Sequence, residues 1–121
     1  MTSNMSGEPH TARSDRESLD QLFALLSHHY RRQILVLLAA SNPRTVDAVT
    51  QVCLGSREGG REEERIRIGL HHVHLPKLEA EGYLEWDQTT DTIRRGQDFE
   101  AIEPALELLT AHPDALPGTW P

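Results

Sequence analysis

The sequence predicts a mainly α-helical domain with one small β-hairpin. Apolar residues recur at helical spacing in five segments, which glycine, proline or short polar joints separate. Two short segments between residues 83 and 95 are strand-like, and polar turn residues join them. With 121 residues, the chain has room for one domain that can bury a core of its own.

The first two helices are predicted from leucine-rich stripes. The first begins near Ser18, where Ser18 or Asp20 can serve as the cap. The second runs from about His29 to Ala40 and ends at residues 41–43, because the proline there cannot continue a helix. Residues 1–15 are polar and almost free of apolar side chains, so we expect them to be disordered.

A short helix, a turn and a long helix follow. Thr45 is placed to cap a helix over residues 46–54, residues 55–60 form the turn, and the long helix covers 61–80. Gly82 is well placed to end the long helix in the left-handed conformation. The residues predicted to face inward from the short helix are Val46, Val49, Val52 and Cys53.

The hairpin is predicted over residues 83–87 and 92–95, and a last helix covers about 98–111. The element order is helix, helix, helix, helix, hairpin, helix. A short helix, a turn and a longer helix that lead directly into a hairpin form the layout of a winged helix-turn-helix. The predicted organisation is a disordered segment over 1–15, the winged domain over 16–111 and a flexible tail over 112–121.

Several motifs resemble known winged-helix proteins. Residues 23–38 (FALLSHHYRRQILVLL), 45–49 (TVDAV) and 75–85 (LPKLEAEGYLE) resemble ArsR-like transcriptional regulators. Residues 70–78 (LHHVHLPKL) resemble a haloarchaeal winged helix-turn-helix domain family. The resemblance covers residues 19–110. It implies binding of double-stranded DNA by a homodimer whose first and last helices form the interface.

The candidate DNA-contacting residues lie on the long helix and on the second wing strand. At 100° per residue, four residues of the long helix fall on one stripe opposite its buried line, and a glycine among them lets the backbone approach a groove. Two arginines of the wing strand are placed for phosphate contacts. The predicted contacts are Arg61, Arg65, Gly69, His72, Arg94 and Arg95. The alternative is a solvated surface, in which Arg61 and Arg65 pair with Glu58, Glu62 or Glu64.

One feature of the long helix does not fit a single buried face. Arg67, His71 and His74 fall near the centre of the face predicted to be buried, whereas Ile66 and Val73 lie away from it. Either Pro76 shifts the helical register, or a second contact covers Ile66 and Val73. The resemblance adds that Arg31 and Arg32, after the first joint, anchor helix packing through an acid more often than they touch DNA.

A metal, a cofactor or an enzymatic activity is not predicted. His71 and His74 share a helix face at a spacing that can ligate zinc, but a third and a fourth ligand are not evident. Cys53 is the single cysteine, which we expect to fill a core position. The sequence contains no catalytic triad, P-loop or glycine-rich nucleotide motif.

The charge of the chain leaves a second function open. The net charge is −7, and eleven arginines with one lysine make up the basic residues, a balance that resembles proteins of salt-loving archaea. Residues 98–121 carry five acids and neither arginine nor lysine. The alternative to DNA binding is therefore a winged domain that engages a protein partner. Neither a signal peptide nor a transmembrane segment is predicted, which favours the cytoplasm.

Overall fold

The computed structural model describes residues 18–121, and it confirms a mainly helical winged helix-turn-helix fold. The predicted disordered segment 1–15 lies outside the described residues. In chain order the elements are α1 (18–25), α2 (His29–Ala40), β1 (Arg44–Thr45), α3 (Val46–Leu54), α4 (Arg61–Gly69), a π-helical segment (Leu70–His74), α5 (Leu75–Ala80), β2 (Leu84–Asp87), β3 (Thr92–Arg95), α6 (Phe99–Ala111) and a 3₁₀ turn (Pro113–Ala115).

Two helix ends follow the predicted capping residues, whereas Ser18 and Asp20, predicted as caps of the first helix, already lie within it. The Thr45 hydroxyl accepts a hydrogen bond from the Ala48 N–H (3.0 Å), which satisfies one of the free donors of the first turn of α3. Gly82, with a φ of 85°, ends the long helix in the left-handed region as predicted. The bounds predicted for α2 and α3 agree with the structure.

The sheet contains a strand that the sequence did not predict. Arg44 and Thr45 form β1, which pairs antiparallel with Ile93 and Thr92 of β3. The strand order is β1-β3-β2, so β3 is the central strand of the wing. Because β1 leads directly into α3, this pairing joins the wing to the helix-turn-helix.

The core lies between the helices and the inner face of the sheet. Val52 is an exception to the prediction, because it is exposed, and Thr50 is buried in its place. The Thr50 hydroxyl donates to the carbonyl oxygen of Val46 (2.8 Å), so its burial leaves no free donor. The prediction for Val52 was wrong because the position lies well off the stripe that runs through Val46 and Val49. The fully buried side chains include Leu25, Ile34, Leu35, Leu38, Ile66, Leu70, Leu75, Leu78, Leu84, Ile93, Phe99 and Leu106.

The π-helical segment explains the misfit of the long helix. The Leu75 N–H donates to the carbonyl oxygen of Leu70, five residues back, and Pro76 has no N–H to offer. The wide turn shifts the register, so Ile66 and Leu75 are both buried although a regular helix would not align them. Val73 is displaced to the surface. Of the two explanations offered above, a register shift just before Pro76 therefore accounts for the burial of Ile66.

Arg31 and Arg32 anchor α1 through carbonyl oxygens, and among residues 18–121 neither pairs with the acid that the resemblance implies. Arg31 is buried and donates to the carbonyl oxygens of Leu25 (2.8 Å) and Ala24 (2.9 Å). Arg32 donates to the carbonyl oxygen of Leu26 (2.7 Å). These carbonyls lie at the end of α1, where a helix has no internal donors for them.

The predicted tail packs in part against the domain. The Trp120 ring is half-buried beside the core, and its Nε1–H donates to the Thr110 hydroxyl (3.1 Å). Across residues 18–121, no helix has the length and apolar character needed to cross a membrane.

Candidate nucleic-acid interface

Four of the six predicted contact residues lie together on the long helix. Arg61, Arg65 and His72 are exposed, and the Arg65 side chain keeps 78% of its accessible surface. Gly69 is half-buried, yet a Cβ at this position would meet nothing within 4 Å. The absent side chain therefore leaves open space in the middle of the stripe. We call these four residues the helix stripe.

The acidic run at the start of α4 is largely paired with other arginines. Glu62 binds Arg57 (2.8 Å) and only reaches Arg65 at 4.0 Å. Glu63 binds Arg67 (2.9 Å), an ion pair that was not predicted from the sequence. Because Glu62 and Glu63 pair with Arg57 and Arg67, the Arg65 side chain remains mainly exposed to solvent.

Arg67 also ties the two helices of the helix-turn-helix together. Its guanidinium bridges Glu63 (2.9 Å) on α4 and Asp47 (3.2 Å) in the first turn of α3. The Gln51 amide of α3 donates to the same Glu63 carboxylate (2.9 Å). This network explains why Arg67 does not contribute to the exposed charge of the helix stripe.

The two wing arginines point to opposite faces of the sheet. Arg94 is exposed and lies across the hairpin from Glu85. Arg95 lies across from buried Leu84 on the inner face. Consecutive residues of a strand alternate between faces, so the two arginines do not present their charge on one face of the wing.

Arg95 is engaged by the domain itself. Its guanidinium donates to the carbonyl oxygens of Leu38 (2.8 Å) and Ala39 (2.9 Å) at the end of α2, and it lies 5.4 Å from the centre of the Phe99 ring. The structure does not bring Arg95 together with the helix stripe, and we leave it out of the candidate contacts. Arg94 remains.

A polar cluster that the sequence analysis missed joins the long helix to the wing. The Asp91 carboxylate accepts from the Trp86 Nε1–H (2.9 Å) and lies 2.9 Å and 3.1 Å from the His71 Nε2. The His71 and Trp86 rings are stacked, with centroids 5.3 Å apart and planes 8° from parallel. Asp91 carries a signal that sequence reasoning could have used, because aspartate after a polar turn tolerates the left-handed backbone it adopts.

An open cleft of about 490 Å³ lies between the long helix and the wing. His72 of the helix stripe lines it, and so do the members of the polar cluster. The cleft therefore adjoins the stripe on the wing side. Its lining residues are His71, His72, Pro76, Trp86, Gln88 and Asp91.

His74 lies on the opposite side of the π segment, in a buried cluster with the α1–α2 joint. Arg31 Nη1 lies 3.2 Å from His74 Nδ1, and the His28 ring centroid is 4.3 Å from that of His74. Since a guanidinium can only donate, His74 Nδ1 accepts and the ring is neutral. Burial, together with the neighbouring His28 and Arg31, lowers the pKa of His74 to about 4.

The histidines of the π segment thus have separate partners. His71 binds Asp91 and His74 binds Arg31, so the two side chains do not converge. Within residues 18–121, no group of three or more histidine, cysteine or acidic side chains is placed to hold a metal ion.

The fold and the open helix–wing face define a winged-helix domain, and a family model matches its central part. The chain belongs to a family described as a domain of unknown function (DUF7344), whose model matches residues 23–94. The matched region runs from α1 to β3 and leaves out α6. The chain matches no curated protein and no solved structure. The ArsR-like resemblance and the function it implies therefore remain predictions.

Proposed function

We propose that this protein is a transcriptional regulator that binds double-stranded DNA as a homodimer. The helix stripe is the observation that carries the proposal: two exposed arginines and an exposed histidine flank an open glycine on the second helix of a helix-turn-helix. A helix of this kind reads base edges in the major groove, while arginines bind phosphates. We propose that the protein acts on DNA in the cytoplasm.

The wing would contact the DNA backbone beside the groove. Arg94 supports this role because it is exposed on the outer face of the central strand of the wing. Glu85 lies directly across the hairpin and weakens the local positive charge. We therefore assign phosphate contacts to Arg94 and to the two arginines of the helix stripe, and base contacts to His72.

Substituting Arg61 and Arg65 tests the DNA interface. An Arg61→Ala/Arg65→Ala variant is expected to bind random-sequence duplex DNA about tenfold more weakly than the wild type, because two phosphate or base contacts are lost. The slope of log affinity against log salt should become shallower by about 2 per protomer. Fluorescence anisotropy over a salt series measures both quantities.

Two control variants show whether the change in affinity comes from the loss of these particular charges. Arg61→Lys/Arg65→Lys keeps both charges and should keep the salt slope. Lys77→Ala removes a positive charge on α5, where Lys77 pairs with Glu81 (3.2 Å), and should bind as the wild type does. If the double alanine variant keeps wild-type affinity and slope, the assignment of the helix stripe is wrong.

The proposed homodimer uses α1 and α6. Both helices contribute to the core through Leu25 and Leu106, yet each keeps a large apolar side chain at the surface: Phe23 is 62% exposed and Leu108 is 61% exposed. The two helices lie side by side, since Phe23 and Leu109 line the same cleft. A surface of this kind supports association with a second copy.

A Phe23→Glu/Leu108→Glu variant is expected to be monomeric where the wild type is dimeric, because each glutamate would be buried without a partner in the interface. Sedimentation velocity measures the mass of both. Val52→Glu, which alters an exposed valine of α3, should leave the dimer intact. A wild type that remains monomeric up to the highest soluble concentration would contradict the proposed interface.

The second candidate function is a protein-interaction module. Ile68 and Val73 of the long helix favour it, because they are 50% and 53% exposed on the helix proposed to enter DNA. This candidate, which no longer binds DNA, is supported if the folded wild type does not bind DNA and an Ile68→Ser/Val73→Ser variant loses a partner that the wild type captures. If the wild type binds DNA and the variant loses only this DNA affinity, the regulator is supported.

A further inference from the structure

Asp91 makes contacts with three elements of the domain at once. It lies at the end of the wing turn, where its φ is 52°. Its carbonyl oxygen accepts a hydrogen bond from the Val46 N–H (2.9 Å), and Val46 is the first residue of α3. A first-turn N–H has no acceptor inside its own helix, so the backbone of Asp91 satisfies a donor that would otherwise be free.

The side chain of Asp91 reaches the other two elements. Its carboxylate accepts from the Trp86 Nε1–H of β2 (2.9 Å) and binds the His71 Nε2 of the π segment (2.9 Å). The indole and imidazole rings are stacked on each other. One residue therefore connects the wing turn, the edge strand of the wing, the long helix and the start of α3.

These contacts lie at the margin of the apolar core, which includes Val46 and against which Trp86 packs. The base of the hairpin is held by buried Leu84 and Ile93. Beyond them an open cleft of about 490 Å³ separates the wing from the long helix, and Asp91, Trp86 and His71 line it. The polar contacts of Asp91 thus connect the wing to the long helix along the edge of this cleft.

We infer that Asp91 is a positioning residue for DNA binding, which holds the wing at a fixed distance from the helix stripe. The inference rests on the proposed function. The helix and the wing of this fold meet different parts of a duplex, so a fixed relation between them lowers the entropy lost on binding. Asp91 itself, as an acid beside a phosphate backbone, would contribute repulsion and not attraction.

These two effects have opposite signs, which makes the role testable. Asp91→Asn removes the charge and one good acceptor. Glu85→Gln is the matched control, because Glu85 is an exposed acid on the same hairpin and lies across from Arg94. If charge alone mattered, both variants would bind DNA more tightly than the wild type.

Positioning predicts that they differ. Asp91→Asn should bind a random-sequence 20-base-pair duplex about fivefold more weakly than the wild type, and Glu85→Gln should bind equally well or more tightly. Trp86→Phe keeps the carboxylate but removes the indole donor, and it should weaken binding to a similar extent. The Asp91→Asn/Trp86→Phe double variant should be no weaker than the weaker single variant, because both substitutions weaken the same set of contacts.

The measurement is anisotropy on the full-length protein at low salt, with circular dichroism to establish the folded fraction of each variant. Trp86→Phe keeps the inference testable if Asp91→Asn does not fold. Wild-type affinity in both Asp91→Asn and Trp86→Phe, while the wild type binds DNA, would overturn the inference alone. A folded wild type that does not bind duplex DNA at any salt concentration would overturn the proposed function and this inference together.

Discussion

An Arg31→Met variant is expected to lose about 3 kcal/mol of unfolding free energy relative to the wild type. Arg31 is 8% exposed and donates to the carbonyl oxygens of Leu25 and Ala24, the Ser27 hydroxyl and the His74 ring. Methionine fills a similar volume but leaves the carbonyl of buried Leu25 without its donor. Each buried acceptor left without a partner costs about 1–3 kcal/mol.

Arg32→Met is the matched control for this prediction. Arg32 is the next residue, is partly exposed, and donates to the carbonyl oxygen of Leu26 (2.7 Å). We expect its loss to cost about 1 kcal/mol. Urea unfolding at pH 7, followed by far-ultraviolet circular dichroism, compares the two. Equal losses in the two variants would contradict the larger contribution to stability assigned to Arg31.

The unfolding free energy of the wild type is expected to fall by about 2 kcal/mol between pH 6.5 and pH 5, because a tenfold difference in proton affinity between the folded and unfolded chains corresponds to about 1.36 kcal/mol. The pKa of His74 is about 4 in the folded state against its ordinary value of 6.5. Between these values the unfolded chain binds a proton that the folded chain does not. Stability is therefore independent of this group well above pH 6.5 and declines as the pH falls toward 4.

Two variants isolate the contribution of His74. His74→Asn keeps an acceptor for Arg31 but does not titrate, so most of the pH dependence between 6.5 and 5 should disappear. The pKa values of His28 and His29 are also lowered, chiefly by burial, and account for a smaller remaining slope. His72→Asn changes an exposed histidine and should retain the wild-type slope. A His74→Asn variant with the full wild-type slope would contradict the assignment.

Helix positions were predictable because capping and breaking residues punctuate this sequence. Pro43, Thr45 and Gly82 act at fixed helix ends whatever the tertiary structure, so the bounds of α2 and α3 agree with the prediction. The two-residue strand β1 was not predictable in this way. Arg44 and Thr45 become a strand only because β3 lies beside them.

The candidate site was predicted less completely, for three physical reasons. Arg94 and Arg95 were assigned together from their charge, although strand alternation sends them to opposite faces. The partners of His71 and His74 depend on the π segment, whose wide turn no regular periodicity can reveal. Asp91 has the local signature of a turn residue, but its connecting role was missed because that role comes from contacts with residues far away in sequence.

The most direct test of the proposed function is the binding of the wild-type protein to random-sequence duplex DNA from low to high salt. Phosphate contacts by Arg61, Arg65 and Arg94 predict a slope of log affinity against log salt of about −3 per protomer. Fluorescence anisotropy gives the slope, and circular dichroism at each salt concentration shows whether the protein is folded. A folded protein that does not bind DNA even at low salt would contradict the regulator and favour the protein-interaction module.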